Sequence, residues 1–278
     1  MAGPCPAGRL LRWLEQPGAE LPPSVLIVAA HPDDEVIGAS TLLMRIPELR
    51  LLHVTDGAPR DLRDAQAAGF AGWQDYAQAR DTELAAALAL AGIAADRAQV
   101  LDTPDQGASF RLAGLAETLA TRCAALRPEV VVTHPYEGGH PDHDACAFAV
   151  HAACALLARR GSPVPAIVEM TSYHAGPGGL VTSTFLERLG LEVATLTLDP
   201  AERSAKQRMV ACFTTQQQVL AAFPIEVERF RLAPAYDFTR PPHAGRLFYE
   251  NFEWGVDGAR WRSLAHEALA ALGLAERA

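Results

Sequence analysis

The sequence predicts an α/β fold, in which an open and mostly parallel sheet carries helices on both faces. Short β-branched apolar runs alternate with longer Ala- and Leu-rich segments, and the runs are apolar almost throughout. Strands that are covered on both faces have this continuous apolar character. Strands that alternate with helices form parallel sheets with right-handed crossovers. The predicted arrangement is therefore Rossmann-like, and a stretch rich in aromatic residues follows it as a C-terminal cap.

The elements follow in order from these patterns. The predicted strands are Val25–Ala30, Leu49–Thr55, Ala98–Asp102, Glu129–Thr133 and Ala166–Met170. The predicted helices are Val36–Met44, Asp75–Leu90, Leu112–Leu126, Asp142–Arg159, Arg203–Ala222 and Trp261–Leu272. The aromatic residues of Pro224–Trp254 need burial, which favours a cap over a free linker. We expect one domain over residues 1–278, with a core at about 24–216 and a cap at about 217–278.

Composition and charge exclude several classes of protein. The 278 residues are 49% apolar, which is enough for a large core and argues against wholesale disorder. With 24 basic and 33 acidic residues the net charge is −9, which disfavours a nucleic-acid partner. No apolar run is long enough to span a membrane, and the first 20 residues lack a signal pattern, so we expect a cytoplasmic protein. The five cysteines include no C-x-x-C pair and are expected to be small buried thiols.

Two polar clusters follow predicted strands. The first strand is followed by His31-Pro32-Asp33-Asp34-Glu35, and the fourth by His134 to His143 with His140-Pro141-Asp142-His143 at its end. Ligands of open α/β sheets bind outside the carboxyl ends of the strands, where the strand order reverses. If the order is 3-2-1-4-5, which we take by analogy, these two clusters meet at that point.

The residue types in these clusters fit a catalytic metal site. His31 and Asp34 are three residues apart across a turn that opens a helix, and His143 adds a third ligand from the second cluster. Two histidines and one carboxylate leave an open position, as in catalytic zinc sites. Asp33 must diverge from Asp34 and is placed to act as a general base. His140 is a candidate to stabilise an oxyanion or protonate a leaving amine, with Asp142 orienting it or stabilising its imidazolium.

Each feature alone has a structural explanation. A histidine after a strand is usually a polar loop residue, and acidic residues at a helix start often serve as caps or complement the helix dipole. The combination of both clusters after strands predicted to be neighbours favours the metal site.

The two motifs together resemble a known family. Ala30-His31-Pro32-Asp33-Asp34-Glu35 with a distal His-Pro-Asp-His at 140–143 is similar to the PIG-L/LmbE-like metal-dependent N-deacetylases, and the resemblance covers at least residues 24–216. It implies that His31, Asp34 and His143 bind the metal. The metal is usually zinc, and iron and cobalt remain alternatives. It implies a base role for Asp33 and oxyanion stabilisation by His140 with support from Asp142. The implied reaction removes an N-acetyl group from an amino sugar of a glycoconjugate.

The resemblance also implies substrate contacts. Arg80-x-x-Glu83 is similar to an Arg-x-x-Glu of the family whose arginine reaches sugar hydroxyls, and Asp105 resembles an acidic residue that binds them. An ordinary helix ion pair for Arg80 and a turn role for Asp105 remain alternatives. One branch of the family has a tyrosine two residues before the first histidine of the His-Pro-Asp-His motif. In this sequence Gly138 occupies that position, and Tyr136 is expected at the rim of the substrate site. Two roles are open for arginines of the cap, such as Arg229 and Arg231: they bind an anionic group of the substrate, or they form structural ion pairs.

Other functions remain as alternatives at this stage. An amidase or esterase acting on another acylated substrate, such as a thiol conjugate, and a non-catalytic metal-binding module both fit the same residues. A nucleotide-binding Rossmann protein is disfavoured because Gly-x-Gly-x-x-Gly does not follow the first strand. The chain also lacks the His-Glu-x-x-His and Gly-x-Ser-x-Gly motifs of metalloproteases and serine hydrolases. The expected partner is a small amino-sugar substrate, and a homo-oligomer is left open.

Overall fold

The computed structural model describes residues 5–18 and 21–275. The predicted domain span also includes 1–4, 19–20 and 276–278, which lie outside the described residues. The helices are α1 (Pro6–Glu15), α2 (Asp34–Arg45), α3 (Arg63–Ala67), α4 (Trp73–Leu90), α5 (Leu112–Leu126), α6 (Pro141–Arg159), α7 (Pro200–Val210), α8 (Gln217–Leu220) and α9 (Gly258–Ala271). The strands are β1 (Val25–Ala29), β2 (Arg50–His53), β3 (Ala98–Val100), β4 (Val130–Thr133), β5 (Ala166–Met170), β6 (Tyr173–Gly176), β7 (Gly179–Thr182), β8 (Val193–Thr197) and β9 (Val227–Leu232).

The main sheet of the described residues has the order β3-β2-β1-β4-β5-β9-β8. The first five strands are parallel, whereas β9 runs antiparallel to both β5 and β8. A separate hairpin pairs β6 with β7. The predicted α/β class and the 3-2-1-4-5 order of the first strands are confirmed, and β1 and β4 are neighbours.

Both faces of the sheet are buried at its centre, in β1 and β4. Successive residues of β1 point to opposite sides, so that Leu26 and Val28 face α5, α6 and α9, whereas Val25 and Ile27 face α1 and α2. This explains why the sequence of β1 is apolar at every position. No helix among the described residues is long and apolar enough to cross a membrane.

The C-terminal part differs from the prediction in two ways. Strand β9 lies in the main sheet and not in a cap, although its sequence includes Glu228 and Arg231. The single helix predicted over Arg203–Ala222 is instead α7, a 3-10 turn at Thr214–Gln216 and α8. The carboxylate of Glu83 accepts hydrogen bonds from the backbone N–H of Thr215 and from the hydroxyls of Thr214 and Thr215, which holds this turn against α4.

The aromatic residues of the predicted cap form two groups. Tyr236 and Phe238 pack with Tyr136, and Phe238 also packs with the fully buried Trp261 of α9. Phe248, Phe252 and Trp254 form a second cluster, with Phe252 and Trp254 stacked at a centroid distance of 4.4 Å. The second cluster lies beside the site described next.

The cysteines are free in the described residues. Cys123 and Cys146 are buried, Cys154 and Cys212 are partly buried, and Cys5 is exposed. The expectation of small buried thiols therefore holds for two of the five.

Candidate metal centre and active site

The two polar clusters meet where β1 and β4 end side by side. α2 begins at Asp34 and α6 begins at Pro141, so both helices start at this point. Pro141 occupies the first position of α6, where its missing N–H costs no hydrogen bond. The structure thus brings together His31, Asp33, Asp34, Asp105, His140, Asp142 and His143, all buried or nearly so.

Three side chains present ligand atoms at mutual distances that fit one metal ion. Nδ1 of His31 lies 3.3 Å from Oδ2 of Asp34 and 3.3 Å from Nε2 of His143, while Nε2 of His143 lies 3.2 Å from Oδ1 of Asp34. Tetrahedral coordination at zinc bond lengths of about 2.0–2.1 Å requires ligand atoms roughly 3.3–3.4 Å apart. These residues therefore fit a divalent ion.

The other ring nitrogens of both histidines have partners of their own. Nδ1 of His143 lies 3.0 Å from Oγ of Ser172, and Nε2 of His31 lies 3.1 Å from Oδ1 of Asp105. The hydrogen bond of His143 is of the kind that fixes the ring and tautomer of metal-binding histidines, whereas the approach of His31 to Asp105 is an ion-pair contact. The backbone N–H of His31 also donates to Oδ2 of Asp34 at 2.8 Å, which orients the carboxylate.

The local field favours a cation. Burial lowers the pKa of His31, but the neighbouring Asp105 carboxylate outweighs this and holds the pKa well above its usual value. Burial raises the pKa of Asp34, yet the imidazoles of His143 and His134 bring it well below the usual range. A carboxylate stabilised as an anion and an imidazole stabilised as a cation both indicate a site suited to positive charge.

Asp33 points away from Asp34. Its φ angle is +143°, a backbone region that is rare for residues with a side chain, and Oδ2 lies 2.9 Å from Nη2 of Arg80. Burial raises the pKa of Asp33 to about 7, against the opposing effect of the Arg80 charge. A buried carboxylate with a pKa near neutrality can exchange protons with a substrate or water.

His140 is the N-terminal cap of α6. Its Nδ1 accepts a hydrogen bond from the backbone N–H of Asp142 at 3.1 Å, so the neutral ring carries its proton on Nε2. Burial, reinforced by the charge of His31, keeps the pKa of His140 well below its usual value. Its ring packs on Trp254 with centroids 4.6 Å apart. The neutral imidazole is therefore a hydrogen-bond donor through Nε2.

Asp142 does not contact the ring of His140 through its carboxylate. The carboxylate accepts hydrogen bonds from the backbone N–H groups of Gln106 and Ala108, and lies 3.5 Å from Nε2 of His31. Asp142 thus holds the loop that carries Asp105 against the site. Its link to His140 is through the backbone N–H.

Arg80 and Asp105, predicted as substrate contacts, are both at the site. Besides Asp33, Nη2 of Arg80 donates to the carbonyl of Pro32, and Gly57 leaves the space that Arg80 occupies. Nε and Nη1 of Arg80 are buried and have no protein partner among the described residues. The carboxylate of Asp105 lies between His31 and His140, 3.1 and 3.8 Å from their Nε2 atoms.

The structure does not bring Tyr136 to the site. Its ring packs on Trp261 at 5.1 Å, and its hydroxyl donates to the carbonyl of Arg240 at 2.9 Å. Tyr136 is buried by these contacts, so it lies in the core and not at the rim where it was expected. Arg231 forms structural ion pairs with Glu137 and Glu169, one of the two roles left open above, whereas Arg229 donates a hydrogen bond to the carbonyl of Ser183.

Sequence reasoning gave no role to three residues at the site. His134 stacks on His143 at 4.0 Å, and its Nε2 accepts the N–H of Ala30 and lies 3.4 Å from Asp34. Because His134 directly follows β4, its position in the sequence already indicated a place at the site. Ser172 and Trp254 come from distant parts of the chain, and no sequence pattern links them to the motifs.

The comparisons with known proteins agree with the motif resemblance. Residues 26–154 match the PIG-L family, described as GlcNAc-PI de-N-acetylase. The resemblance to this family is therefore confirmed for that segment. A comparison with curated protein sequences finds no match.

Solved structures share the fold at low sequence identity. The A40926 pseudoaglycone deacetylase Dbv21 is 18% identical with a TM-score of 0.57, covering 77% of this chain and 98% of its own. The N,N'-diacetylchitobiose deacetylase of Pyrococcus horikoshii is 18% identical with a TM-score of 0.51, covering 78% and 81%. GalB, a 4-carboxy-2-hydroxymuconate hydratase of Pseudomonas putida, is 16% identical with a TM-score of 0.53, covering 77% and 98%. Since a hydratase shares this fold, the activity must be argued from the site.

Proposed function

We propose that this protein is a metal-dependent hydrolase that removes the N-acetyl group from an amino sugar within a larger glycoconjugate. The observation that carries the proposal is the clustering of His31, Asp34 and His143: Nδ1 of His31 and Nε2 of His143 lie 3.3 Å apart, and each lies 3.2–3.3 Å from one of the two carboxylate oxygens of Asp34. The family match over residues 26–154 and the deacetylases among the structures of the same fold support the choice of reaction.

His31, Asp34 and His143 would hold the metal, for which zinc is our first choice and iron(II) an alternative. When bound, such an ion supplies Lewis-acid polarisation of the amide carbonyl and lowers the pKa of water. The contacts of Ser172 with His143 and of Asp105 with His31 keep both imidazoles oriented toward the same point.

Asp33 is the proposed general base. Its backbone turns the carboxylate away from the three ligands, and Arg80 fixes it at 2.9 Å. In that position Asp33 can accept the proton of the attacking water while the three ligands stay in place. Positioned proton transfer of this kind contributes typically 10²- to 10⁴-fold in rate.

His140 is the proposed oxyanion donor. Its Nδ1 is occupied by the N–H of Asp142, so that Nε2–H is directed to the site. One such donor is commonly worth ~3 kcal/mol in the transition state. Asp142 acts as a positioning residue through its hydrogen bonds to the loop at 106–108. Asp33 can then deliver to the leaving amine the proton that it took from water, and His140 is the alternative proton donor.

Arg80 and Asp105 remain the proposed substrate contacts. Two buried nitrogen atoms of Arg80, Nε and Nη1, have no protein partner and can donate to substrate hydroxyls, and Oδ1 of Asp105 lies beside His31 and His140. Both residues also position catalytic groups, so their loss should lower kcat as well as raise KM.

Acetate release tests the proposal. N-acetylated amino sugars and glycoconjugates are incubated with zinc-loaded protein, chelated protein and the His143→Ala variant. We expect release that requires metal and falls by at least 100-fold in the variant, because one of three ligands is lost. An exposed-histidine variant, His266→Ala, serves as the matched control and should keep full activity. Metal-bound protein that releases no acetate from any compound would contradict the proposal.

A further inference from the structure

Glu35 is the one charged residue of the His31-Pro32-Asp33-Asp34-Glu35 motif that has no part in the reaction proposed above. It lies in the first turn of α2 and is fully buried. Glutamate is almost never fully buried unless it is paired, because its carboxylate must be taken out of water. The burial of Glu35 therefore depends on specific partners inside the protein.

A single carboxylate oxygen of Glu35 makes both of its contacts. Oε2 accepts a hydrogen bond from the backbone N–H of Asp33 at 3.2 Å, and it lies 2.8 Å from Nε2 of His53. Oε1 is buried and has no hydrogen-bond partner among the described residues. Glu35 thus joins the ring of His53 to the backbone of the proposed base.

His53 comes from a rigid part of the sheet. It is the last residue of β2, which is paired with β1 on one side and with β3 on the other. Its Cα is in register with Ala29, the last residue of β1, so that it lies beside the turn that carries the motif. The ring is fully buried. β2 therefore reaches the site through His53, although none of its residues is a proposed ligand or substrate contact.

Asp33 is held at three points. It is the N-cap of α2, yet its carboxylate makes no capping hydrogen bond and pairs with Arg80 instead. Its carbonyl accepts the N–H groups of Val36 and Ile37, and its own N–H donates to Glu35. An aspartate at this position usually binds first-turn N–H groups with its side chain. Here the backbone contacts hold the turn, and the carboxylate is left to face the site.

The hydrogen bond to Glu35 opposes the strain at Asp33. A φ angle of +143° is unfavourable for a residue with a side chain. A hydrogen bond from a backbone N–H to a carboxylate is roughly twice as strong as one between neutral groups. Its contribution is of the same order as the cost of the strained conformation. Without Glu35 the peptide before Asp33 would lose its buried partner and be free to rotate, which would turn the carboxylate away from its present direction.

We propose that Glu35, supported by His53, is the positioning residue for the general base. Its carboxylate fixes the peptide of Asp33 and thereby the direction of the Asp33 side chain. The inference rests on the proposed function and adds a pair of residues that act through Asp33. It predicts that loss of Glu35 lowers kcat and leaves metal binding and KM unchanged.

Two substitutions of Glu35 test this prediction. Glu35→Leu removes the acceptor, and kcat should fall about 100-fold, because a small displacement of a catalytic group has an effect of that size. Glu35→Gln keeps an oxygen that can accept the N–H of Asp33, so kcat should be at least about 10-fold higher than in Glu35→Leu. KM and bound zinc should equal those of the wild type in both variants. Glu187→Gln, at an exposed glutamate, is the matched control and should be fully active.

His53 is tested in the same way. His53→Leu removes the partner of Glu35, and kcat should fall at least about 10-fold. In His53→Gln the side-chain amide can still donate to Oε2 of Glu35, so most of the activity should return. His266→Leu, at an exposed histidine of α9, should not differ from the wild type. Full activity of His53→Leu would show that Glu35 needs no support from β2 and would overturn the proposed pair.

A double variant separates positioning from general damage to the fold. In Asp33→Asn the proposed base is already absent, so the further change Glu35→Leu should alter kcat by no more than about 3-fold. Losses that multiply would show that Glu35 acts on another group. Loss of zinc in Glu35→Leu, or equal kcat values for Glu35→Leu and Glu35→Gln, would also overturn the inference. None of these outcomes would contradict the deacetylase proposal.

Amide hydrogen exchange, followed by NMR, tests the same contact without any assay of acetate release. The Asp33 amide should exchange slowly in the wild type and at least about 10-fold faster in Glu35→Leu, whereas the Ile27 amide of β1 should be unchanged. If Glu35→Leu does not fold, His53→Leu and His53→Gln provide the comparison. Equal exchange at Asp33 in the wild type and in the folded leucine variant would reject the inference. Failure to release acetate would count against the proposed function only.

Discussion

Asp33 and Asp34 are adjacent and chemically identical, yet the backbone gives them different surroundings. Asp34 faces His31 and His143, whereas the φ angle of +143° at Asp33 turns its carboxylate to Arg80. Residues held in such sparsely populated regions cost of order 1–3 kcal/mol and are concentrated at functional sites. The backbone strain is therefore the means by which two neighbouring carboxylates can serve as ligand and as base.

Asp33→Asn tests this division of roles at the residue scale. The amide keeps an oxygen for Arg80 but cannot accept a proton from water, so kcat should fall by about 10²- to 10⁴-fold. Metal content should stay at the wild-type level, because Asp33 is not among the three ligands. Steady-state kinetics together with elemental analysis of the purified protein measure both quantities.

Asp81→Asn is a suitable control for that experiment, since Asp81 is exposed on α4 and should be replaceable without effect. Loss of bound metal in Asp33→Asn, with kcat per metal unchanged, would show that the two aspartates have the opposite assignment.

At the scale of the elements, one buried carboxylate ties three of them together. Glu228 of β9 pairs with Nζ of Lys206 on α7 at 2.9 Å, and it accepts hydrogen bonds from Ser40 and Thr41 of α2. These contacts lie where α2 is interrupted by non-helical backbone at Ala39. All the side chains involved are buried. The link holds the antiparallel edge of the sheet to the helix that begins at the active site.

Glu228→Gln should destabilise the fold by about 3–5 kcal/mol, because it leaves the Lys206 ammonium buried without a counter-ion. Urea unfolding at pH 7 measures this. The double variant Lys206→Met with Glu228→Leu should recover most of the loss, since apolar residues of similar volume often replace buried pairs. A single variant as stable as the wild type would contradict the role of this pair.

The same pair predicts a pH dependence of stability. Burial raises the pKa of Glu228, but Lys206, Ser40 and Thr41 outweigh it and hold the pKa below its usual value. A folded-state pKa below the unfolded one gives stability that is present above about pH 4.5 and is lost as the pH falls through the folded-state pKa. The wild type should therefore lose stability in acid more steeply than Glu228→Gln. Parallel slopes for both proteins would show that Glu228 does not titrate in this way.

Prediction from sequence succeeded where the signal is local and failed where distant residues determine the structure. β1 to β5 are mostly apolar runs, and the side chains of His31, Asp34 and His143, which the structure brings together and we propose as ligands, lie within short motifs. β9 was missed because Glu228 and Arg231 interrupt its apolar residues, and their burial depends on the distant partners Lys206, Glu137 and Glu169. β8 was missed although its residues alternate between exposed and buried, as edge strands do.

For the whole molecule, the strand order decides where a site can form. β1 and β4 are neighbours, although a hundred residues separate them in the sequence, and both end beside the same point. His31 and Asp34 come from the segment after β1, and His143 from the segment after β4. A metal ion bound by all three would therefore join two halves of the parallel sheet that are otherwise linked through backbone pairing and packing.

Such an ion should stabilise the complete fold and not only the loops. A ligand that binds the folded state alone adds about 4 kcal/mol at 1,000 times its Kd. Scanning calorimetry of chelated and zinc-loaded protein should therefore show a rise in Tm of several degrees, which His143→Ala abolishes and the exposed-site control His266→Ala retains. An equal rise in His143→Ala would mean that zinc binds elsewhere, for instance at the free cysteines. The rise depends on the three ligands being brought together by folding, because in the unfolded chain His143 is more than a hundred residues from the other two.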